Sequence, residues 1–154
     1  LGGTQREGGI GDELLPSAAP AERWGILVWP GVVVPTGEAY AWLDAERGDE
    51  ADRPLPPSLG GGRGNDFEAV VGHRVPAAGR TLEVLAAGPA RLARMSGSGS
   101  ASFALYASEA DREGDLPRIR DEMTDLAGAR LWPFECVGHG VRPVHPRRSN
   151  LAAR

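Results

Sequence analysis

The chain has 154 residues, 41% of them apolar, and a formal net charge of −4. That length suits one domain burying roughly 68–70% of its unfolded surface, and the mild acidity offers no basic face of the kind nucleic acid needs. No run approaches the ~20 apolar residues of a membrane span, no secretory signal is recognisable, and the single cysteine rules out an internal disulfide.

Taken in order, Leu1 to Leu15 is glycine-rich and predicts a hairpin of two short strands turning around Gly8-Gly9. Trp24 to Trp29 is an apolar run of strand length stopped by Pro30-Gly31. Val32-Val33-Val34 continues extended until Pro35. Thr36 is then placed as an N-cap, with Glu38 in the first turn of a helix to about Glu46. Ala39, Trp42 and Leu43 share one face of it. Gly48 to Gly64 is a charged and then Pro/Gly-rich loop. Its Gly60-Gly61-Gly62 run lacks the following lysine and preceding strand of a phosphate loop.

Asn65-Asp66 reads as the cap of a short helix, Phe67 to Val71. Pro76 opens a further helix through Ala87, with Leu82 and Leu85 inward. Ala90 to Met95 leads into Ser96-Gly97-Ser98-Gly99-Ser100, and Ser102 to Tyr106 is a buried strand. Ser108 caps a helix reaching about Leu126, which Gly114 and Pro117 are expected to split. Leu131 to Val137 and Val141 to Val144 close the chain as strands. Short strands, glycine turns and interspersed helices indicate an open α+β sandwich.

The Ser96–Ser100 stretch is the most informative. Its glycines bare the backbone N–H groups and permit close approach of a ligand, as in a nest for anionic oxygens. A flexible turn is the competing reading. Other candidates favour structural roles. Cys136, among apolar neighbours, reads as a small buried hydrophobe. Asp111, Glu113, Asp115, Asp121, Glu122 and Asp125 read as the solvated face of a helix, and Arg147, Arg148 and Arg154 as a solvated tail. His73, His139 and His145 lie on separate segments without carboxylates or cysteines at ligand spacing, so no metal is assigned to them. His139, between two glycines, reads as a turn residue.

Four motifs in order carry a resemblance. They are Leu1-Gly2-Gly3-Thr4 with Gly9-Ile10-Gly11-Asp12-Glu13-Leu14; Val28-Trp29-Pro30-Gly31-Val32 with Pro35-Thr36; Asn65-Asp66-Phe67-Glu68; and the Met95–Ala101 loop. Together they resemble the GHMP small-molecule kinases. The resemblance implies the C-terminal domain of that family, a ferredoxin-like α+β sandwich of antiparallel sheet and helices, over residues 23–145. Residues 1–22 would be a hairpin and linker left from the N-terminal domain, and 146–154 a tail.

The branch that the motifs resemble acts on 4-diphosphocytidyl-2-C-methyl-D-erythritol in non-mevalonate isoprenoid synthesis. The implied reaction transfers the ATP γ-phosphoryl group to the 2-hydroxyl of that substrate, with Mg2+. In this family the ATP loop and the catalytic lysine and aspartate precede the hairpin. All seventeen basic residues here are arginine, and arginine is a poor substitute for an ammonium. The chain is therefore expected to be a C-terminal fragment, inactive alone, with no catalytic residue of its own.

Substrate-binding positions implied are Thr36 in the acceptor pocket wall, Tyr40 against the cytosine ring, and Ser96, Gly97, Ser98, Gly99 and Ser100. Thr36 and Tyr40 also have plain readings, as a helix cap and a half-buried tyrosine. Expected partners are the small-molecule substrate, with no nucleic acid or membrane, in a bacterial cytoplasm. A non-catalytic nucleotide-binding module, a regulatory α+β domain, or the same half of another GHMP kinase are the alternatives. A face that had packed on a missing half would leave apolar surface exposed, giving a marginally stable, poorly soluble chain. Trp24, Trp29, Trp42 and Trp132 are not assigned to that face by sequence.

Overall fold

The computed structural model describes residues 5–8, 12–18, 22–48 and 64–137. The strand expected over Val141 to Val144, most of the Gly48 to Gly64 loop, His139, His145 and the terminal arginines lie outside the described residues. The chain divides into one unit of Leu1–Pro20 with Val137–Arg154 and a second of Ala21–Cys136. In the first, β1 (Gln5–Gly8) pairs antiparallel with β2 (Glu13–Pro16), so the expected hairpin is present.

The second unit begins with β3 (Trp24–Trp29), followed by α1 (Thr36–Arg47), α2 (Phe67–Arg74) and α3 (Pro76–Ala86). It continues with β4 (Leu92–Met95), β5 (Ser102–Tyr106), α4 (Glu109–Glu122) and β6 (Arg130–Glu135). The sheet is antiparallel throughout, ordered β4-β5-β3-β6. Strands β3 and β5, the two most apolar runs, take its centre. This is the split βαβ order of a ferredoxin-like sandwich.

Alternation sets the two faces. Ile26 and Val28 of β3, Ala104 and Tyr106 of β5, and Ala93 of β4 join Leu82, Val84, Leu85, Leu116, Ile119 and Met123 in one core. Leu27, Trp29, Leu92, Phe103, Leu105, Trp132 and Phe134 lie on the alternate positions and are partly or largely exposed. Among them Phe134 lies over Gly25, where a Cβ would run into the ring. Close approach therefore requires glycine there. Of the four tryptophans, Trp132 is the exposed one; Trp24, Trp29 and Trp42 lie beneath the guanidinium groups of Arg112, Arg130 and Arg74.

A second core joins Val34, Ala39, Leu43, Val70, Val71, Ala78 and Met95. It packs α1, α2 and the start of α3 against the end of β4, directly below the Gly/Ser loop. Helices α2 and α3 approach so closely that a Cβ on Gly79 would lie 2.6 Å from the carbonyl oxygen of Gly72.

Several expectations are corrected. Helix α4 runs unbroken through Gly114 and Pro117. Both residues are exposed, so the carbonyl that Pro117 leaves unbonded can be hydrated, while buried Leu116 and Ile119 pin the helix to the sheet. Packing outweighs propensity there. Ser108 is its cap as expected, its hydroxyl accepting from Asp111 N at 3.1 Å. Helix α2 extends to Arg74, beyond Val71. Strand β6 ends at Glu135 and tolerates Pro133 because it is an edge strand. Cys136 is half-buried rather than buried.

Asp115 departs furthest from its reading as a solvated carboxylate. Only 5% exposed, it accepts from Tyr106 Oη at 2.8 Å and from Arg118 Nε and Nη2 at 2.6 and 3.0 Å. Arg118 also bonds Glu122 at 2.8 Å and the Val84 carbonyl at 3.0 Å. A charged group is buried there because each of its neighbours is paired with it.

Candidate functional site

The loop from Met95 to Ser102 connects two adjacent antiparallel strands, so its ends are fixed by the sheet. It closes on itself through Ser96 N to Ala101 O at 2.8 Å and Gly99 N to Ser96 O at 3.0 Å. Gly97 and Gly99 have φ of +56° and +83°, the left-handed region that glycine enters without penalty. At Gly99 glycine is needed twice over, since a Cβ would also lie 2.6 Å from Met95 Sδ. Gly97 has open space where its side chain would be. The N–H groups of Gly97, Ser98 and Ser100 have no acceptor among the described residues. Such donors are what an anion's oxygens satisfy.

Three segments brace this loop. Thr36 is the first residue of α1 and not its cap; the cap position falls on Pro35, whose carbonyl accepts from Glu38 N and Ala39 N at 3.0 and 3.1 Å. The Thr36 hydroxyl is thereby free to meet Ser98 Oγ, 3.0 Å away. The expected capping role is thus replaced by a contact to the loop. The Ser100 hydroxyl donates to the Val32 carbonyl; with 2% exposure, Ser100 braces the loop from below. From the start of α2, Asn65 Nδ2 donates to the carbonyls of Met95 and Gly97 at 3.0 and 2.6 Å, and Glu68 Oε1 accepts from Met95 N at 3.0 Å.

The capping expectation for Asn65-Asp66 divides. Asn65 Oδ1 accepts from Phe67 N at 3.0 Å, as a cap would. Asp66 makes no such bond and instead pairs with Arg47 at 2.6 Å.

Tyr40 lies one helical turn beyond Thr36 on α1 and is 54% exposed. Its ring meets Phe67 edge-on, with centroids 5.0 Å apart and planes at 89°, a favourable aromatic geometry. That contact fixes the ring while leaving much of it open. The structure therefore brings Thr36, Tyr40 and the Ser96–Ser100 loop to one end of the domain, with Phe67 and Asn65 between them. Phe67, Asn65, Glu68 and the Val32 carbonyl were not singled out as site residues by sequence. The one available signal, Asn-x-x-Glu before a helix, also describes an ordinary cap.

Among the described residues no group of three or more His, Cys, Asp or Glu could hold a metal ion. Among them, too, no helix is long and apolar enough to cross a membrane.

Residues 58–127 match the family model for the C-terminal domain of GHMP kinases. A 4-diphosphocytidyl-2-C-methyl-D-erythritol kinase of Rhizorhabdus wittichii is 47% identical over 91 residues, which cover 57% of this chain and 30% of that protein. One from Thiobacillus denitrificans is 38% identical over 123 residues, covering 80% of this chain and 43% of its own length. The chain thus spans less than half the length of these curated relatives. A solved 4-(cytidine 5′-diphospho)-2C-methyl-D-erythritol kinase shares the fold with a TM-score of 0.59 at 23% identity, over 82% of this chain and 47% of that one. Homoserine kinase from Cytophaga hutchinsonii shares it at 0.54 and 16% identity, over 80% of this chain and 45% of that one. The matched segment contains α2, α3, α4 and the Gly/Ser loop, and through it the chain carries a C-terminal domain of the GHMP kinase family.

Proposed function

We propose that this chain is the C-terminal portion of an ATP-dependent kinase that phosphorylates the 2-hydroxyl of 4-diphosphocytidyl-2-C-methyl-D-erythritol, a bacterial cytoplasmic enzyme of isoprenoid synthesis. One observation carries the reading: the unpaired amides of Gly97, Ser98 and Ser100 stand at the same end of the domain as Thr36 and the open ring of Tyr40. The names of the relatives support a diphosphocytidyl compound as the ligand of that end. In this reading residues 1–22 finish a preceding domain, residues 23–145 form the C-terminal domain, and residues 146–154 are a tail.

Phosphoryl transfer calls for alignment and for donors to charge on oxygen more than for covalent help. The loop amides hold phosphate oxygens, with the Ser96 and Ser98 hydroxyls beside them. Thr36 and Ser98 form one wall of the acceptor pocket, and Tyr40 stacks on the cytosine. During transfer the bond from the γ-phosphorus to the ADP oxygen breaks as the bond to the substrate's 2-hydroxyl oxygen forms. The hydroxyl proton passes to a base that this chain does not supply. With no lysine in its 154 residues, the chain in this reading binds substrate and does not turn it over. ATP and Mg2+ are assigned to sequence outside it.

Calorimetric titration of the chain with the diphosphocytidyl substrate tests this. Binding is expected, and Tyr40→Ala should weaken it by about tenfold or more, the ~1–3 kcal/mol of a base stacked on an aromatic ring. Equal affinity of the two proteins would remove Tyr40 from the site. Phosphate transfer by the chain alone, followed by phosphorus NMR, would overturn the assignment of catalysis elsewhere.

A further inference from the structure

Asn65 and Glu68 open α2 with the spacing of a capping box, in which the second side chain reaches back to the backbone of the first. Here that second arm points elsewhere. Glu68, only 4% exposed, accepts through its Oε1 from Met95 N. Asn65 caps Phe67 with its oxygen and spends its amide on the Met95 and Gly97 carbonyls. Three hydrogen bonds thus leave one helical turn for a loop 27 to 32 residues away in sequence. Gly97 has no side chain to hold it, and nothing would touch a Cβ there within 4 Å. Its one hydrogen bond among the described residues is the one its carbonyl accepts from Asn65.

We propose that Asn65 and Glu68 are positioning residues that keep Met95 and Gly97 in place, so that the amides of Gly97 and Ser98 meet an anionic ligand together. The proposal rests on the reading of this loop as a ligand cradle. Capping and anchoring can be separated chemically. Asn and Asp cap helices about equally well. An aspartate at position 65 keeps the oxygen for Phe67 N but loses both donors and sets a carboxylate against two carbonyl oxygens.

The test uses the chain with Asn65→Asp, and with Asn65→Ser as a second variant that keeps a capping oxygen without added charge. The expected result is unchanged helical circular dichroism. Amide exchange at Ser96 and Gly99, the two N–H groups that close the loop, should rise about tenfold. Cytidine diphosphate binding should weaken by a similar factor. Glu68→Met, of similar length but without an acceptor, should raise exchange at Met95 N. Unchanged exchange in both Asn65 variants overturns the proposal, whatever the chain binds. Raised exchange, with no cytidine diphosphate binding by the unsubstituted chain, upholds the anchoring role and removes the ligand reading instead.

Discussion

The two ends of β5 differ in how they treat polar groups. At the Ser102 end, the loop leaves three backbone donors unpaired, holds two glycines at positive φ, and exposes Ser96 and Gly97. At the Tyr106 end the phenol, Asp115, Arg118 and Glu122 form a chain in which each group has a partner. Hydrogen-bonding capacity is saturated where the strand joins the core and kept in reserve where it joins the loop. Paired buried groups secure a fold; of the unpaired donors, those of Gly97 and Ser98 lie outside the buried core and are available to a ligand. Polar density alone would not distinguish the ends, because both are polar.

Substitutions should separate the two in kind as well as in size. The largest effect on stability is expected from Asp115→Ala, which leaves Tyr106 Oη buried without its acceptor and Arg118 without its closest carboxylate. Breaking a buried pair costs about 3–5 kcal/mol. Because the Arg118 side chain is 31% exposed it can regain water, so about 2–3 kcal/mol is expected in urea unfolding. Ligand affinity of the folded protein should be unchanged. A loss of affinity without a loss of stability would reverse the assignment of the two ends.

Gly97→Val should act the other way. It forces a β-branched residue to φ +56°, and the strained loop should bind substrate at least tenfold more weakly. Since a new Cβ meets nothing within 4 Å, the stability cost should stay near 1–3 kcal/mol of local backbone strain. Titration and unfolding of the same preparation measure both. A loss of affinity below tenfold would argue that the loop is only a turn.

The smallest effect concerns pH. Burial first, then the hydrogen bond to Asp115, push ionisation of Tyr106 well above its ordinary value of 10.0. The unfolded chain therefore releases this proton before the folded one. Its contribution to stability is complete below pH 10 and declines as pH rises further. Tyr106→Phe should flatten that decline in unfolding curves taken on either side of pH 10.

Much of this was legible in sequence, for identifiable reasons. Trp24–Trp29 and Ser102–Tyr106 announced themselves as continuous apolar runs between turn residues, and Ser108 capped its helix through a neighbour three residues on. Such signals are local, and so is the pattern reading that finds them. The site motifs emerged through their likeness to a kinase family. What remained hidden depends on contacts distant in sequence. Locally Thr36 reads as a cap, because its partner, Ser98, is 62 residues away; only the family likeness also places it in a pocket wall. Asp115 belonged to an acidic run and nothing in that run marks Tyr106 as its neighbour. Pro117 reads as a break until the sheet beneath α4 is known.

The braces of the loop come from β3's exit at Val32, from α1 at Thr36 and from α2 at Asn65 and Glu68. None of these segments can leave without releasing the loop, and the loop cannot be ordered until all have docked. A molecule seated on those few amides would consequently act as a clasp across the whole fold. Part of its binding free energy would appear as resistance to unfolding in segments it never touches.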